Sequence, residues 1–205
     1  MKKSLIALLL VVALVVTVSV FTVSAEVQTS SDLTVNGTTA TGYCPHCQKD
    51  VTWTEYVPST TTHNDLKTAG HFFLSTSYTS AGALRLAAKV DVVLHLNGNT
   101  YTRNGTTASV MLNAVGTFSI VDSTAGTGAL KNSSSGPVLI APATIVGPTF
   151  NLYSGSMIPT SNQAIQMNDT CNINIHGGSV TGTTATTGGA VAITKGTLNL
   201  YGGTV

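Results

Sequence analysis

The chain has 205 residues, of which only 8% are charged, and a formal net charge of +1. That balance leaves no basic face for a nucleic-acid backbone. Thr, Ser, Asn and Gly are abundant, yet apolar residues keep a period of two, which a disordered chain has no reason to do; the composition therefore argues for a β-rich fold.

The first 25 residues read as a targeting segment. Lys2 and Lys3 precede an apolar run from Leu5 to Val23, and Val23-Ser24-Ala25 closes it with small side chains. This is the layout of a cleavable secretory signal of bacterial type. The run is also long enough for an uncleaved anchor. Either way the remainder is expected outside the cytoplasm, secreted or at the cell surface, with membrane contact only through this segment. Without Lys2 and Lys3, seven basic side chains face eight acidic ones.

Residues 26–42 read as a flexible leader and residues 43–79 as a small separate knuckle. The knuckle holds Cys44 and Cys47, the only Trp, and His63 and His71. Cys44-Pro-His-Cys47 spacing lets two sulfurs face one ion, and His63 with His71 would complete a tetrahedral S2N2 set for structural zinc. A Cys44–Cys47 disulfide, or a pair of free thiols, is the competing reading. A redox dithiol would need the first Cys at a helix N-terminus. The following Gln48–Tyr56 stretch alternates like a strand, which speaks against that role.

From about residue 80 to 205 a repeat takes over. Leu94-His-Leu-Asn-Gly98, Phe118-Ser-Ile-Val-Asp122, Phe150-Asn-Leu-Tyr-Ser154, Ile173-Asn-Ile-His-Gly177 and Leu198-Asn-Leu-Tyr-Gly202 each begin apolar, polar, apolar. A second apolar segment precedes each of the last four, at Val110–Leu112, Val138–Ile140, Ile165–Met167 and Val191–Ile193. The spacing, about two dozen residues, is too short for a propeller blade and carries no helical period; it fits a coil of two or three short strands. One longer step contains Pro142 and Pro148, which suits an inserted loop. The expected fold is all-β: a parallel β-helix of about five coils, apparently truncated at its C-terminus, so that further coils of the same polypeptide are its expected partner.

The stretch from Gly177-Gly-Ser-Val180 through Gly196-Thr-Leu-Asn-Leu-Tyr201 to Gly202-Gly-Thr-Val205 is similar to the repeats of secreted bacterial surface proteins with pectin-lyase-like, right-handed β-helices. The resemblance covers residues 150–205 best and 80–149 more weakly. It implies fold and extracellular setting; members of such families serve as lyases, hydrolases, adhesins or stalks, so it implies no activity. Cys44-Pro-His-Cys47, Val51-Thr-Trp53 and Gly70-His-Phe-Phe-Leu74 resemble segments at the head of similar secreted proteins.

Within the repeats, parity places Tyr153, His176 and Tyr201 outward at one coil position, with Asn151, Asn174 and Asn199 in a column beside them. Such a stripe suits a glycan or cell-wall polymer, rings against sugar rings and amides on hydroxyls; aromatic and amide ladders that only stabilise stacked strands account for the same pattern. Cys171 shares the inward parity of Ile173 and Ile175 and reads as a small core residue. A polysaccharide lyase or hydrolase gathers carboxylates on one face, whereas Asp91, Asp122 and Asp169 occupy different coil positions. The sequence therefore reads as a non-catalytic β-helix adhesin, glycan-contacting module or spacer, the alternative being the N-terminal part of a polysaccharide-active enzyme with catalytic coils further along.

Overall fold

The computed structural model describes residues 32–144, 146–183 and 189–205. The expected signal segment lies outside the described residues. Among the described residues all regular structure is β-strand.

A hairpin opens the fold, with β1 Thr34–Asn36, β2 Thr39–Cys44 and β3 Lys49–Glu55 paired antiparallel. The chain then winds into a solenoid of about five turns. Its coils are β4 Asn64–Leu66, β5 Gly70–Phe73 and β6 Tyr78–Ser80; β7 Leu84–Leu86, β8 Asp91–His95 and β9 Thr100–Arg103; β10 Val110–Leu112, β11 Thr117–Val121 and β12 Ala129–Asn132; β13 Leu139–Ala141, β14 Thr149–Leu152 and β15 Ser156–Pro159; and β16 Ile165–Met167, β17 Asn172–Ile175 and β18 Ser179–Val180. β19 Val191–Ile193 and β20 Thr197–Leu200 continue the winding. Equivalent strands of successive coils pair in parallel, giving a nine-stranded sheet that begins with the hairpin, a six-stranded sheet and a five-stranded sheet.

Side-chain alternation explains the winding. In the nine-stranded sheet Val92, Phe118, Phe150, Ile173 and Leu198 form one inward column, and Phe72, Leu94, Ile120, Leu152, Ile175 and Leu200 the other. Phe118 and Phe150 are fully buried and meet edge to face at 6.1 Å. Glycines let the coils turn at close range. A side chain on Gly177 or Gly202 would strike the carbonyl of Tyr153 or His176, and Gly178 and Gly203 follow with φ of 77° and 78°, a conformation that suits glycine.

Three expectations are adjusted. Strands β4 to β6 already pair with β7 to β9, so the first coil lies inside the stretch expected to form a separate knuckle at 43–79. Its first strand opens on Asn64, where the equivalent strands of later coils open on Leu84, Val110, Leu139, Ile165 and Val191. Among the described residues strand structure begins at Thr34, within the expected leader 26–42, because Thr-rich residues 34–44 supply both partners of a hairpin. Register also differs: Phe118 pairs with Val92 rather than Leu94, and Val110 with Leu139 rather than Val138. Val92-Val93-Leu94 and Val138-Leu139-Ile140 are uninterrupted apolar runs, in which alternation cannot single out the inward residue. Cys171 is buried in the solenoid core as expected.

Candidate functional site

The outward face of the nine-stranded sheet carries the chemistry. Extending the strand pairing gives two outward columns, one through His71, Val93, Ser119, Asn151, Asn174 and Asn199, the other through Phe73, His95, Val121, Tyr153, His176 and Tyr201. The hairpin does not simply extend the sheet; its β2–β3 end curls over this face. Ala40, Cys44 and Trp53 join Phe73, Val93 and Val121 in a second buried cluster, with Leu33, Cys47, Val51 and Tyr153 at its margin.

Trp53 is the centre of that cover. It is fully buried, its ring lies edge-on to His71 at 5.3 Å and to His95 at 5.2 Å, and its Nε1 donates to the Gly42 carbonyl at 3.2 Å. The turn after β2 is a tight knuckle. The Cys44 carbonyl accepts from the amides of Cys47 at 3.1 Å and Gln48 at 2.7 Å, and Gln48 closes the turn with φ of 55°. The Cys47 amide also lies 3.4 Å from Cys44 Sγ, so an N–H points at the sulfur.

This fold brings three expected ligands together. The donor atoms of Cys44, Cys47 and His71 all lie within 4.8 Å of one another, and Cys47 Sγ is 3.0 Å from His71 Nε2; the group can hold a metal ion. Cys44 is buried, Cys47 and His71 half-buried. Burial pushes the Cys44 thiol up to about 12, with Cys47 as a further influence. Burial lowers the His71 pKa, helped by His46 and Lys49, so the imidazole stays neutral and ready to ligate. His63, the fourth ligand expected from sequence, is not part of the group. It is exposed beside β4 in the six-stranded sheet, where its Nδ1 accepts from the Ala83 amide at 3.1 Å. Sequence spacing could not show that residue 63 precedes a strand of one sheet while residue 71 lies in a strand of another.

Sequence reasoning missed His46, which lies between the two cysteines. Its Nδ1 sits 3.4 Å from the Tyr153 hydroxyl and 3.5 Å from Ser119 Oγ, tying the knuckle to the third and fourth coils. The alternation around Trp53 was the available signal that the hairpin has a buried face.

Beyond the hairpin the two columns run on as ladders. Tyr153 and His176 stack at 4.4 Å with 5° between planes, and His176 and Tyr201 at 4.8 Å with 12°. Asn199 Nδ2 donates to Asn174 Oδ1, and Asn174 Nδ2 to Asn151 Oδ1, both at 2.8 Å; Asn151 Nδ2 donates to Ser119 Oγ at 2.9 Å. All six residues of the expected stripe are therefore brought together, but they face one another. The ring faces of His176 are covered by its neighbours, and the amides are engaged along the column. Tyr201, 61% exposed, keeps one open face.

Two acidic side chains of the repeats, Asp122 and Asp169, serve the backbone. Asp122 is fully buried and its carboxylate accepts from the amides of Gly98 at 2.7 Å and Gly128 at 2.6 Å. Asp169 accepts from the Thr170 amide at 2.7 Å and lies 3.9 Å from Lys195 Nζ.

No protein-family model matches the chain, and no curated protein or solved structure matches it either.

Proposed function

We propose that the chain is a non-catalytic, exported spacer module, a β-solenoid whose N-terminal hairpin is fastened to its outer face by zinc. The observation that carries this reading is the engagement of the outward columns with themselves. At one end two thiols and an imidazole converge under Trp53; at the other the rings stack on each other and the amides bond to each other. A face built this way stiffens stacked coils. Zinc suits the donors, since two thiolates and an imidazole form part of a tetrahedral S/N shell. Binding would draw off the Cys44 proton and anchor β2 to β5, joining hairpin and first coil. Export is supported by the Lys2-Lys3 start, the apolar run to Val23 and the scarcity of ionic residues.

A second reading is contact with a glycan or cell-wall polymer along the Tyr153, His176 and Tyr201 stripe, favoured by the 61% exposure of Tyr201. The polysaccharide-active alternative draws no support from Asp122 and Asp169, whose contacts are structural.

Two measurements test the proposal. Cell fractionation with surface proteolysis should place the chain outside the cytoplasm; a cytoplasmic pool alone would contradict it. The wild-type chain should show no retention on a glycan array or in a cell-wall pull-down. Retention lost in the Tyr153→Ala/Tyr201→Ala double variant would replace the spacer with an adhesin.

A further inference from the structure

We infer that the Cys44–Cys47–His71 centre is an open one, with a fourth metal position that takes a small donor from solution. The inference rests on the zinc reading above and extends it. Tetrahedral zinc needs four ligands; structural sites supply all of them from protein, whereas a three-ligand set leaves one position for water or an incoming donor.

The remaining histidines are placed elsewhere. His46 Nδ1 points to Tyr153 and Ser119 at 3.4 and 3.5 Å. His63 precedes β4, a strand of another sheet, and is bonded to the Ala83 amide at 3.1 Å. His95 Nδ1 accepts from the Asn97 amide at 2.9 Å, and its ring packs on Trp53, as His71 does. His176 is sandwiched between Tyr153 and Tyr201. Among the described residues no carboxylate joins the group. Cys171 is in the solenoid core, across the sheet.

The direction of the open position follows from burial. Cys44 and Trp53 are fully buried and close the inner side with apolar surface, while Cys47 and His71 are only half-buried. The fourth ligand therefore arrives from the solvent side. Two thiolates already neutralise a divalent ion, so the position favours a soft or neutral donor, a thiol or an imidazole, over a hard anion.

The experiment uses the full chain loaded with Co²⁺ in place of Zn²⁺. Visible absorption should show tetrahedral bands with thiolate charge transfer, and added imidazole or 2-mercaptoethanol should shift those bands in a saturable, single-site manner. X-ray absorption of the zinc form should fit two sulfurs, one imidazole and one light atom that is not imidazole. Bands indifferent to both additives, or a fit to two imidazoles, would overturn the open position while leaving the zinc reading intact. Loss of the second imidazole in His46→Ala would then name His46 as the closing ligand. A chain that binds neither metal would overturn both.

Discussion

Trp53 shows how one side chain fixes the site. It fills the space between His71 and His95 under the hairpin, so Trp53→Ala removes a fully buried indole and two edge-to-face contacts. The expected cost is about 3–5 kcal/mol, read by denaturant unfolding, with weakened metal binding in the same variant. Cys44 supplies a pH prediction. Its thiol is held protonated to about 12 in the metal-free fold against an ordinary 9.0, so its contribution to stability is complete below pH 9 and is lost as pH rises toward 12. Chelator-treated protein should lose thermal midpoint over that window more steeply than Cys44→Ser, and metal affinity should rise with pH because binding displaces the proton. A wild-type profile parallel to that of Cys44→Ser would contradict this. At this scale the cysteine pair was legible because two residues between ligands is a strong local constraint. His71 was legible beside it, but His63 was not excluded, since nothing local separates a β5 residue from one preceding β4.

Strands β14, β17 and β20 carry the ladders. Asn174 both donates to Asn151 and accepts from Asn199, so Asn174→Ala strands an acceptor on one side and a donor on the other. A loss of about 1–3 kcal/mol is expected. His176→Ala removes two ring stacks, at about 0.5–1.5 kcal/mol each. Asn172, exposed on the same strand, is the control, and its alanine variant should stay within about 0.5 kcal/mol of wild type. Equal effects at all three positions would show that the columns carry no special stabilisation. The apolar-polar-apolar repeat made β11, β14, β17 and β20 readable in advance. The third strand of each coil was harder to see: β9, β12, β15 and β18 open on Thr100, Ala129, Ser156 and Ser179 and each carries a single large buried apolar side chain, Tyr101, Leu130, Met157 or Val180.

On the scale of the whole molecule, the solenoid and the hairpin are two cores sharing one sheet. The inner core runs through the coils, and the outer cluster lies between the hairpin and β5, β8 and β11. The inner core was legible because each coil repeats it. The outer one was not, because it joins residues as far apart as Cys44 and Val121 and occurs once. The zinc-held hairpin is therefore the central claim, and metal content of the purified chain tests it most directly. Wild type and His63→Ala should each carry one zinc per chain, while Cys44→Ser and His71→Ala should carry none and yet keep the β-sheet circular dichroism of the solenoid. Zinc retained in His71→Ala, or a wild-type chain that binds none, would contradict the account.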